Sequence, residues 1–216
     1  MRVLFFTSFT LIFMVLGFWQ LNRLGQKEAL ISEFTNHVEQ NVTVTSTHLK
    51  DQDLYKTINL QGSFIKNPIF YYMNYQGKPV FEILQPFKTS CGKYFLVSRG
   101  YVEKKQELLP FENTTNVSLT GYLVRSPEKK PLFIENDLKQ NEWFYLNRQH
   151  LKEFFDVDNF QSFIILPKGT SNLLGKQIDV RSKVKFRNDH MQYAITWFSL
   201  SLVTFIIAIV LRRKKA

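Results

Sequence analysis

An uncharged stretch from Met191 to Leu211 limits what this chain can fold into more than any other feature of the sequence. At about 1.5 Å per helical residue, it is long enough to cross a hydrocarbon layer of roughly 30 Å. His190 precedes the stretch and a basic run, Arg212 to Lys215, follows it. The pattern predicts a transmembrane helix over residues 190–211.

A second apolar run extends from Val3 to Leu21, after a single charge at Arg2. It predicts another transmembrane helix, over residues 3–21. A secretory signal peptide is the competing interpretation, because a positive charge followed by an apolar run is typical of both. The run is long for the apolar part of a signal peptide, and Gly17-Phe-Trp-Gln is not a small-residue cleavage site. Both observations favour the transmembrane helix.

Two spans place both termini on the same side of a membrane. The Arg-Arg-Lys-Lys tail predicts that residues 212–216 are cytoplasmic, because loops on that side are rich in basic residues. The basic residues between Arg181 and Arg187 argue for the opposite orientation. Their influence is weaker, because long segments between spans are translocated largely regardless of charge.

The charge of the segment between the spans is mild. Five of the 28 basic residues flank the spans, so the segment has 23 basic and 18 acidic residues, a net charge of about +5. No arginine-rich helix or glycine-rich phosphate loop accompanies it. We therefore expect a lipid bilayer as a partner and no nucleic acid.

The residues between the spans, 22–189, are enough for one domain. Arg23 to Gln40 has helical periodicity and continues the first span. After it, apolar and polar residues alternate in short runs, which predicts a mostly antiparallel sheet or an open barrel. Asn147 is the expected N-cap of a short helix in which Leu151, Phe154 and Phe155 point inward. The expected strands are Thr57–Phe64, Ile69–Tyr75, Val80–Phe87, Tyr94–Val102, Val117–Val124, Phe163–Leu166 and Ile178–Phe186, with a further apolar run at Trp143–Leu146. The fold class is therefore α+β: a two-helix transmembrane hairpin that carries a mostly antiparallel β domain outside the membrane, with minor helix.

The sequence lacks the residues that a disulfide, a metal-carrier site or a typical hydrolase site requires. A single cysteine, Cys91, makes neither an intramolecular disulfide nor the paired thiolates of a copper or zinc carrier. The histidines are scattered, without metal-ligand spacing, and no Gly-x-Ser-x-Gly elbow indicates a hydrolase. A hydrolase or transferase of the cell envelope remains an alternative only if the central domain gathers a nucleophile and a base.

The facing ends of the two spans hold the residues that suggest a binding site. In an antiparallel pair, Trp19, Gln20 and Arg23 lie at the depth of His190. On the second helix, Ala194 and Trp197 share the face of His190 by their spacing, with Arg187 one turn earlier. The small residues Gly17 and Ala194 either let the helices approach closely or leave a slot between them.

A flat cofactor needs this set of groups. Imidazole supplies an axial bond, a small residue makes room, an aromatic ring stacks, and cations such as Arg23 and Lys27 hold carboxylates. The simpler interpretation is that the interfacial aromatic and basic residues are lipid headgroup anchors and that His190 is solvated.

Three segments carry a resemblance to a known family. The segments are Gly17-Phe-Trp-Gln-Leu-x-Arg23-x-x-x-Lys27, Ser98-Arg-Gly-Tyr101 and Asn188-Asp-His-Met-Gln-Tyr-Ala-Ile-Thr-Trp-Phe. They resemble the Surfeit-locus (Shy-type) family of cytochrome c oxidase assembly factors. The resemblance covers nearly the whole chain. Tyr101 and Glu103 depart from it, since the family usually has Trp and Pro at these two positions.

The resemblance implies a non-enzymatic factor, a chaperone for the respiratory chain, that assists maturation of subunit I of haem-copper oxidases. It further implies transient haem a binding through the histidine of the second span, here His190, with oxidase subunit I and haem a synthase as partners. Because the first span begins at Val3, we expect a bacterial inner membrane, with the central domain in the periplasm. The alternative is an interaction scaffold for subunit I that binds no haem.

Overall fold

The computed structural model describes residues 1–40, 43–44, 49–105, 114–129, 134–170, 173–184 and 188–214. The chain divides into two compact units. One consists of Met1–Glu33 with Phe186–Ala216, and the other of Phe34–Lys185. The domain limits expected from the sequence, at residues 21/22 and 189/190, stay predictions.

Two long helices dominate the first unit. Helix α1 spans Arg2–Glu39, so the predicted helical continuation beyond the first apolar run is confirmed. A second long helix spans His190–Arg213. Each has an apolar stretch long enough to cross a membrane, and only 17% of the residues in either stretch are buried within the protein. Helices with so little buried apolar surface are not core helices of a soluble domain.

The two long helices pack side by side in antiparallel directions, and hydroxyl groups join them midway. Thr10 and Thr204 share a hydrogen bond of 2.9 Å between their Oγ1 atoms. The Ser201 hydroxyl donates to the backbone carbonyl of Thr10 at 3.0 Å. Thr10 and Ser201 are both buried. Polar residues that bond across a helix pair in this way stabilise its register.

The second unit is built on one eight-stranded sheet. Its strands are β1 (Thr43–Val44), β2 (Thr57–Phe64), β3 (Ile69–Tyr75), β4 (Lys78–Thr89), β5 (Tyr94–Val102), β6 (Val117–Arg125), β7 (Glu142–Trp143) and β8 (Phe160–Pro167). The spatial order is β1-β2-β6-β8-β5-β4-β3-β7, and β2 also pairs with β4. The extra pairing closes β2, β6, β8, β5 and β4 into a small barrel, extended by β3 and β7.

Most pairings are antiparallel, as predicted, while β1–β2, β3–β7 and β5–β8 are parallel. Barrel closure depends on Gly62, which pairs with Thr89. A Cβ atom at Gly62 would lie 2.1 Å from the carbonyl oxygen of Lys88. Only glycine lets the two strands approach so closely.

Apolar residues fill both sides of the barrel wall. One cluster lies inside and includes Phe64, Phe87 and Leu123. The other lies outside, around Trp143 and Leu84. Alternating side chains along each strand supply both clusters, which is why the middle of β4 is buried on both faces.

A short helix, α2 (Arg148–Phe155), covers the outer cluster. The Asn147 side chain caps it, since Oδ1 accepts from the backbone N–H of His150 at 2.7 Å. Leu151 and Phe155 are buried and Phe154 is half-buried. The predicted cap and the inward face of this helix are confirmed.

The predicted strand Ile178–Phe186 is wrong over its described residues. A single helical turn, α3 (Val180–Lys183), replaces it, and the remaining long helix is α4. Asp179 starts the turn, because its Oδ1 accepts from the backbone N–H of Ser182 at 3.0 Å. The alternation of apolar and basic residues that indicated a strand is also compatible with one helical turn. Residues 185–187 lie outside the described part of the chain.

Candidate functional site

Gln20 on α1 and His190 at the start of α4 meet at one end of the helix pair. The imidazole Nδ1 lies 2.7 Å from the amide oxygen Oε1 of Gln20. Gln20 is 8% exposed, so its amide is held among packed side chains. An amide oxygen only accepts, so Nδ1 donates the hydrogen, and in the neutral form of the ring Nε2 then has the lone pair. The pair therefore presents a half-buried imidazole whose Nε2 has no hydrogen-bond partner among the described residues and, when unprotonated, can bind a metal.

The small residues Gly17 and Ala194, beside this pair, let α1 and α4 approach closely. A Cβ atom added to Gly17 would lie 2.6 Å from the ring of Phe198. Ala194 is 1% exposed. An aromatic ring of α4 thus fills the space beside Gly17. The sequence left open a slot for a flat ligand between the helices, and this ring leaves no room for one at this level.

Trp197 and Trp19 occupy different surroundings. Trp197 is half-buried and stacks on Phe13, with ring centroids 5.7 Å apart. Trp19 is 51% exposed although Gln20 next to it is buried. Consecutive helical residues point about 100° apart, so Trp19 cannot share the face that Gln20 turns to α4. The structure brings Gln20 to His190 but does not bring both tryptophans to it.

The predicted cations lie along the outer surface of α1. Arg23 is exposed, and its Nη1 donates to Oε1 of Gln26 at 2.8 Å. Lys27, one turn further, is half-buried. Arg187 lies outside the described residues. Along the sequence of α1, Arg23 and Lys27 follow Gln20 by three and seven residues.

The central motif, Ser98 to Tyr101, has a structural explanation that its sequence did not reveal. Gly100 has φ +94°, and a Cβ atom there would lie 2.6 Å from the carbonyl oxygen of Lys176. The Arg99 carbonyl accepts from Leu174 N–H at 2.7 Å, and Tyr101 forms a bridge with Lys176. The motif is the place where a later segment crosses β5 at backbone contact.

The Arg99 side chain is enclosed in the barrel. It is 7% exposed, and its guanidinium lies 4.0 Å from the centroid of the Phe64 ring. Its Nη1 donates to Gln85 Oε1 at 2.5 Å. Burial lowers the pKa of Arg99 to about 10, so the cation still persists at neutral pH.

A second group of polar residues, in the barrel unit, was not predicted from the sequence. Glu82, in the middle of β4, is fully buried and paired with Lys183 on α3. Tyr71 lies opposite Glu82 on β3. Burial, with the charge of Glu82 as a smaller cause, raises the pKa of Tyr71 to about 12. An acidic residue inside the apolar run Val80-Phe-Glu-Ile-Leu was the available signal.

Among the described residues, no cluster of three or more His, Cys, Asp and Glu side chains is arranged to hold a metal ion.

A comparison with protein-family models matches residues 7–202 of the chain to the SURF1 family. The chain belongs to the SURF1 family. The match includes most of α1, the barrel and the first half of α4, so the resemblance noted from the end motifs and the central motif is confirmed.

Relatives in this family come from bacteria and from eukaryotes. A SURF1-like protein of Rickettsia felis is 27% identical over 210 residues, which cover 92% of this chain and 91% of the relative. A SURF1-like protein of Monosiga brevicollis is 28% identical, with 92% and 83% covered. Surfeit locus protein 1 of Gallus gallus is 27% identical, with 88% and 68% covered. In each case the similarity extends over nearly the whole of this chain.

Proposed function

We propose that the protein is a membrane-anchored assembly factor for cytochrome c oxidase that holds haem a transiently through His190. In this proposal α1 and α4 cross a bacterial inner membrane, both termini are cytoplasmic, and the barrel unit is periplasmic. Oxidase subunit I receives the haem, and haem a synthase is a candidate donor. Membership of the SURF1 family and the hydrogen bond between Gln20 and His190 support the proposal.

The hydrogen bond between Gln20 and His190 is the observation that carries the haem proposal. When bound, haem a would supply an iron centre that accepts an axial nitrogen ligand. Gln20 prepares the imidazole for this role, because accepting the Nδ1 hydrogen leaves Nε2 deprotonated and fixes the plane of the ring. A histidine placed only as a surface residue has no need of a buried amide partner.

The packing of the helix pair limits where the flat group can lie. Since Phe198 fills the space beside Gly17, the residues that would hold the group are His190 and side chains outside the contact between the helices. Trp19 is exposed and free to contact it, while Arg23, Lys27 and Arg187 are candidates for holding its propionates. Ala194 and Trp197 then act by keeping α4 close to α1.

A single protein ligand, His190, would be enough for a haem carrier. A carrier must release its ligand, and one labile bond from an imidazole allows that. No acid, base or nucleophile is required, and we assign no enzymatic activity to the site.

The test is the absorption spectrum of the protein purified after co-expression with haem a synthesis. We expect wild type to carry haem a and His190→Ala to lose most of it. Gln192→Ala is the matched control, because Gln192 is an exposed residue in the same helical turn. Equal haem content in wild type and His190→Ala would refute the ligand role, whatever happens to oxidase activity.

One observation favours a second candidate, an interaction scaffold for subunit I that binds no haem. The facing sides of α1 and α4 are already occupied by Phe198, the stacked rings of Phe13 and Trp197, and the hydroxyl bonds of Thr10. A helix pair that is complete by itself needs no cofactor to stabilise it. This candidate predicts capture of subunit I by wild type and by His190→Ala equally, with no haem in either.

A further inference from the structure

The barrel unit contains a cavity of about 590 Å³ that the assembly proposal does not use. Its volume lies in the range of small-molecule sites, roughly 300–1,000 Å³. Aromatic and aliphatic side chains form most of its wall, including Tyr72, Phe144, Ile134 and Ile164. At the same wall are the buried carboxylate of Glu82 and its partner Lys183.

Apolar surface at the cavity is open to solvent. Tyr72 is 41% exposed and Ile134 is 68% exposed. The rings of Tyr72 and Phe144 lie 5.7 Å apart between centroids and tilt by 49°. Such a pair offers a face on which a ring or a short chain gains contact area. The wall thus favours an apolar ligand body.

Among the described residues, the polar end of the cavity has one buried oxygen atom without a hydrogen-bond partner. Oε1 of Glu82 accepts from the ammonium of Lys183, whereas Oε2 is buried and has no hydrogen-bond partner. Buried carboxylate oxygens are almost always hydrogen-bonded. A carboxylate accepts and does not donate, so its missing partner must be a hydrogen-bond donor.

Charge balance decides which kind of donor fits. Lys183 already neutralises Glu82, and Arg125, the other cation at the wall, is paired with Asp51 at 2.9 Å. An added ammonium group would face both cations without an unpaired acid to offset them. A neutral donor, such as a hydroxyl group, adds the hydrogen bond without adding charge.

We propose that this cavity binds a neutral amphipathic small molecule whose apolar ring or chain lies against Tyr72 and Phe144 and whose hydroxyl group donates to the Glu82 carboxylate. Lys183 covers the carboxylate with a side chain that is 10% exposed. Its long, flexible stem allows the ammonium to shift and admit the hydroxyl group. The proposal is independent of haem binding, since none of its residues belongs to the His190 pair.

The probes are 4-propylphenol, propylbenzene and 4-propylbenzylamine, which share an apolar body and differ in the polar group. Binding is measured on the full chain in nanodiscs by NMR of isoleucine methyl groups, with free probe concentrations corrected for uptake by empty nanodiscs. Ile134 and Ile164 line the cavity, while Ile58 lies inside the barrel and serves as the internal control.

We expect 4-propylphenol to shift Ile134 and Ile164 without shifting Ile58, with an affinity about 10-fold above that of propylbenzene. The benzylamine should bind more weakly than the phenol. Absence of shifts at millimolar phenol would overturn the proposal. Equal affinities for phenol and propylbenzene would also overturn it, because a trapped water or a lipid chain would then account for the cavity.

Two variants separate the hydroxyl contact from the apolar wall. Glu82→Leu, which removes both carboxylate oxygens, should abolish the preference for phenol over propylbenzene and leave propylbenzene binding unchanged. Because this buried change risks the fold, Ile134→Trp provides a second test at an exposed position that fills the cavity mouth. It should weaken phenol and propylbenzene alike, and unchanged binding of both would contradict the assigned site.

Discussion

At the scale of single residues, one hydrogen bond gives His190 its proposed role. The sequence indicated that Gln20 and His190 lie at the same depth, but it did not indicate which atoms meet. The structure adds that Oε1 of Gln20 and Nδ1 of His190 are 2.7 Å apart. Spacing along a helix gives depth and face, whereas the side-chain torsions that bring two atoms into contact depend on packing.

The partner of a ligating histidine is itself testable. Gln20→Leu removes the acceptor of the Nδ1 hydrogen while keeping the side chain similar in size. We expect haem a affinity to fall about 10- to 100-fold, because the imidazole loses its orientation and part of its basicity. Titration of purified wild type and variant with haem a measures this. Gln192→Leu, the same change at an exposed glutamine of α4, should leave the affinity unchanged; a loss there equal to that in Gln20→Leu would contradict the orienting role.

A second residue-scale prediction concerns the acid stability of the barrel unit. Asp53 accepts from the backbone N–H of Lys50 at 2.9 Å and from the ammonium of Lys56 at 3.1 Å. The backbone hydrogen bond is the largest cause that lowers the pKa of Asp53 below its ordinary 3.8. A carboxyl with a lowered folded pKa stabilises the fold above the ordinary pKa, and this contribution is lost as pH falls through the folded value.

Asp53→Ala should therefore lower the free energy of unfolding by about 1 kcal/mol at neutral pH. The difference from wild type should shrink below pH 3.8. Urea titrations across this range measure it. Asp51→Ala is the matched control, because the Asp51 carboxylate is exposed and its pair with Arg125 contributes little. A wild-type advantage that stays constant down to the lowest pH would show that the charge of Asp53 is irrelevant.

At the scale of elements, the sequence predicted helices and strands that have a regular pattern. It did not predict segments whose structure depends on contacts with residues elsewhere in the fold. β2, β3 and β5 have the predicted limits, β2 because its apolar and polar residues alternate and β3 and β5 because turn residues bound their apolar runs. β8 begins at Phe160 and not at Phe163, since pairing with β5 and β6 recruits residues of weaker pattern. The strand expected at Ile178 failed because a local cap by Asp179 overrides alternation.

Gly100 illustrates an element-scale constraint that no pattern predicts. Gly100→Ala combines a φ of +94° with a Cβ atom 2.6 Å from the Lys176 carbonyl oxygen. We expect it to lower the free energy of unfolding by about 2 kcal/mol or more. Gly77→Ala, with φ +84° and nothing within 4 Å, isolates the cost of the backbone conformation and should lower it by about 1 kcal/mol. Equal losses in both variants would contradict the close crossing over β5.

The contact between α1 and α4 gives another matched pair. Gly17→Val should separate the helices, because its side chain would overlap the ring of Phe198. Gly25→Val on the same helix meets nothing within 4 Å and should be tolerated. Disulfide formation between cysteines placed at Thr10 and Thr204, in a Cys91→Ser background, measures the separation. Crosslinking in Gly17→Val at the rate of the parent would contradict this packing.

At the scale of the whole molecule, the account requires two spans with both ends on the cytoplasmic side. The sequence of the chain has one cysteine, Cys91, and its thiol is exposed on the barrel unit. A hydrogen bond with Thr89 lowers the pKa of the Cys91 thiol, which favours the reactive thiolate. A membrane-impermeant maleimide should therefore label Cys91 in cells whose outer membrane has been permeabilised.

The control for topology moves the thiol to the other end of α4. In a Cys91→Ser, Lys214→Cys variant, labelling should require lysis of the cells. Labelling of position 214 in intact cells together with protection of Cys91 would invert the proposed orientation. The composition of the chain contributed to this prediction only through the basic tail, because its average hydropathy combines two apolar ends with a polar middle.

The measurement that tests the central claim most directly is rescue of a His190→Gly variant by free imidazole. The account predicts that the variant loses the haem a spectrum of wild type. Added imidazole should restore it, because free imidazole can bind the haem iron in place of the missing His190 side chain. A variant that keeps the wild-type spectrum before imidazole is added would contradict the claim that His190 binds the haem iron.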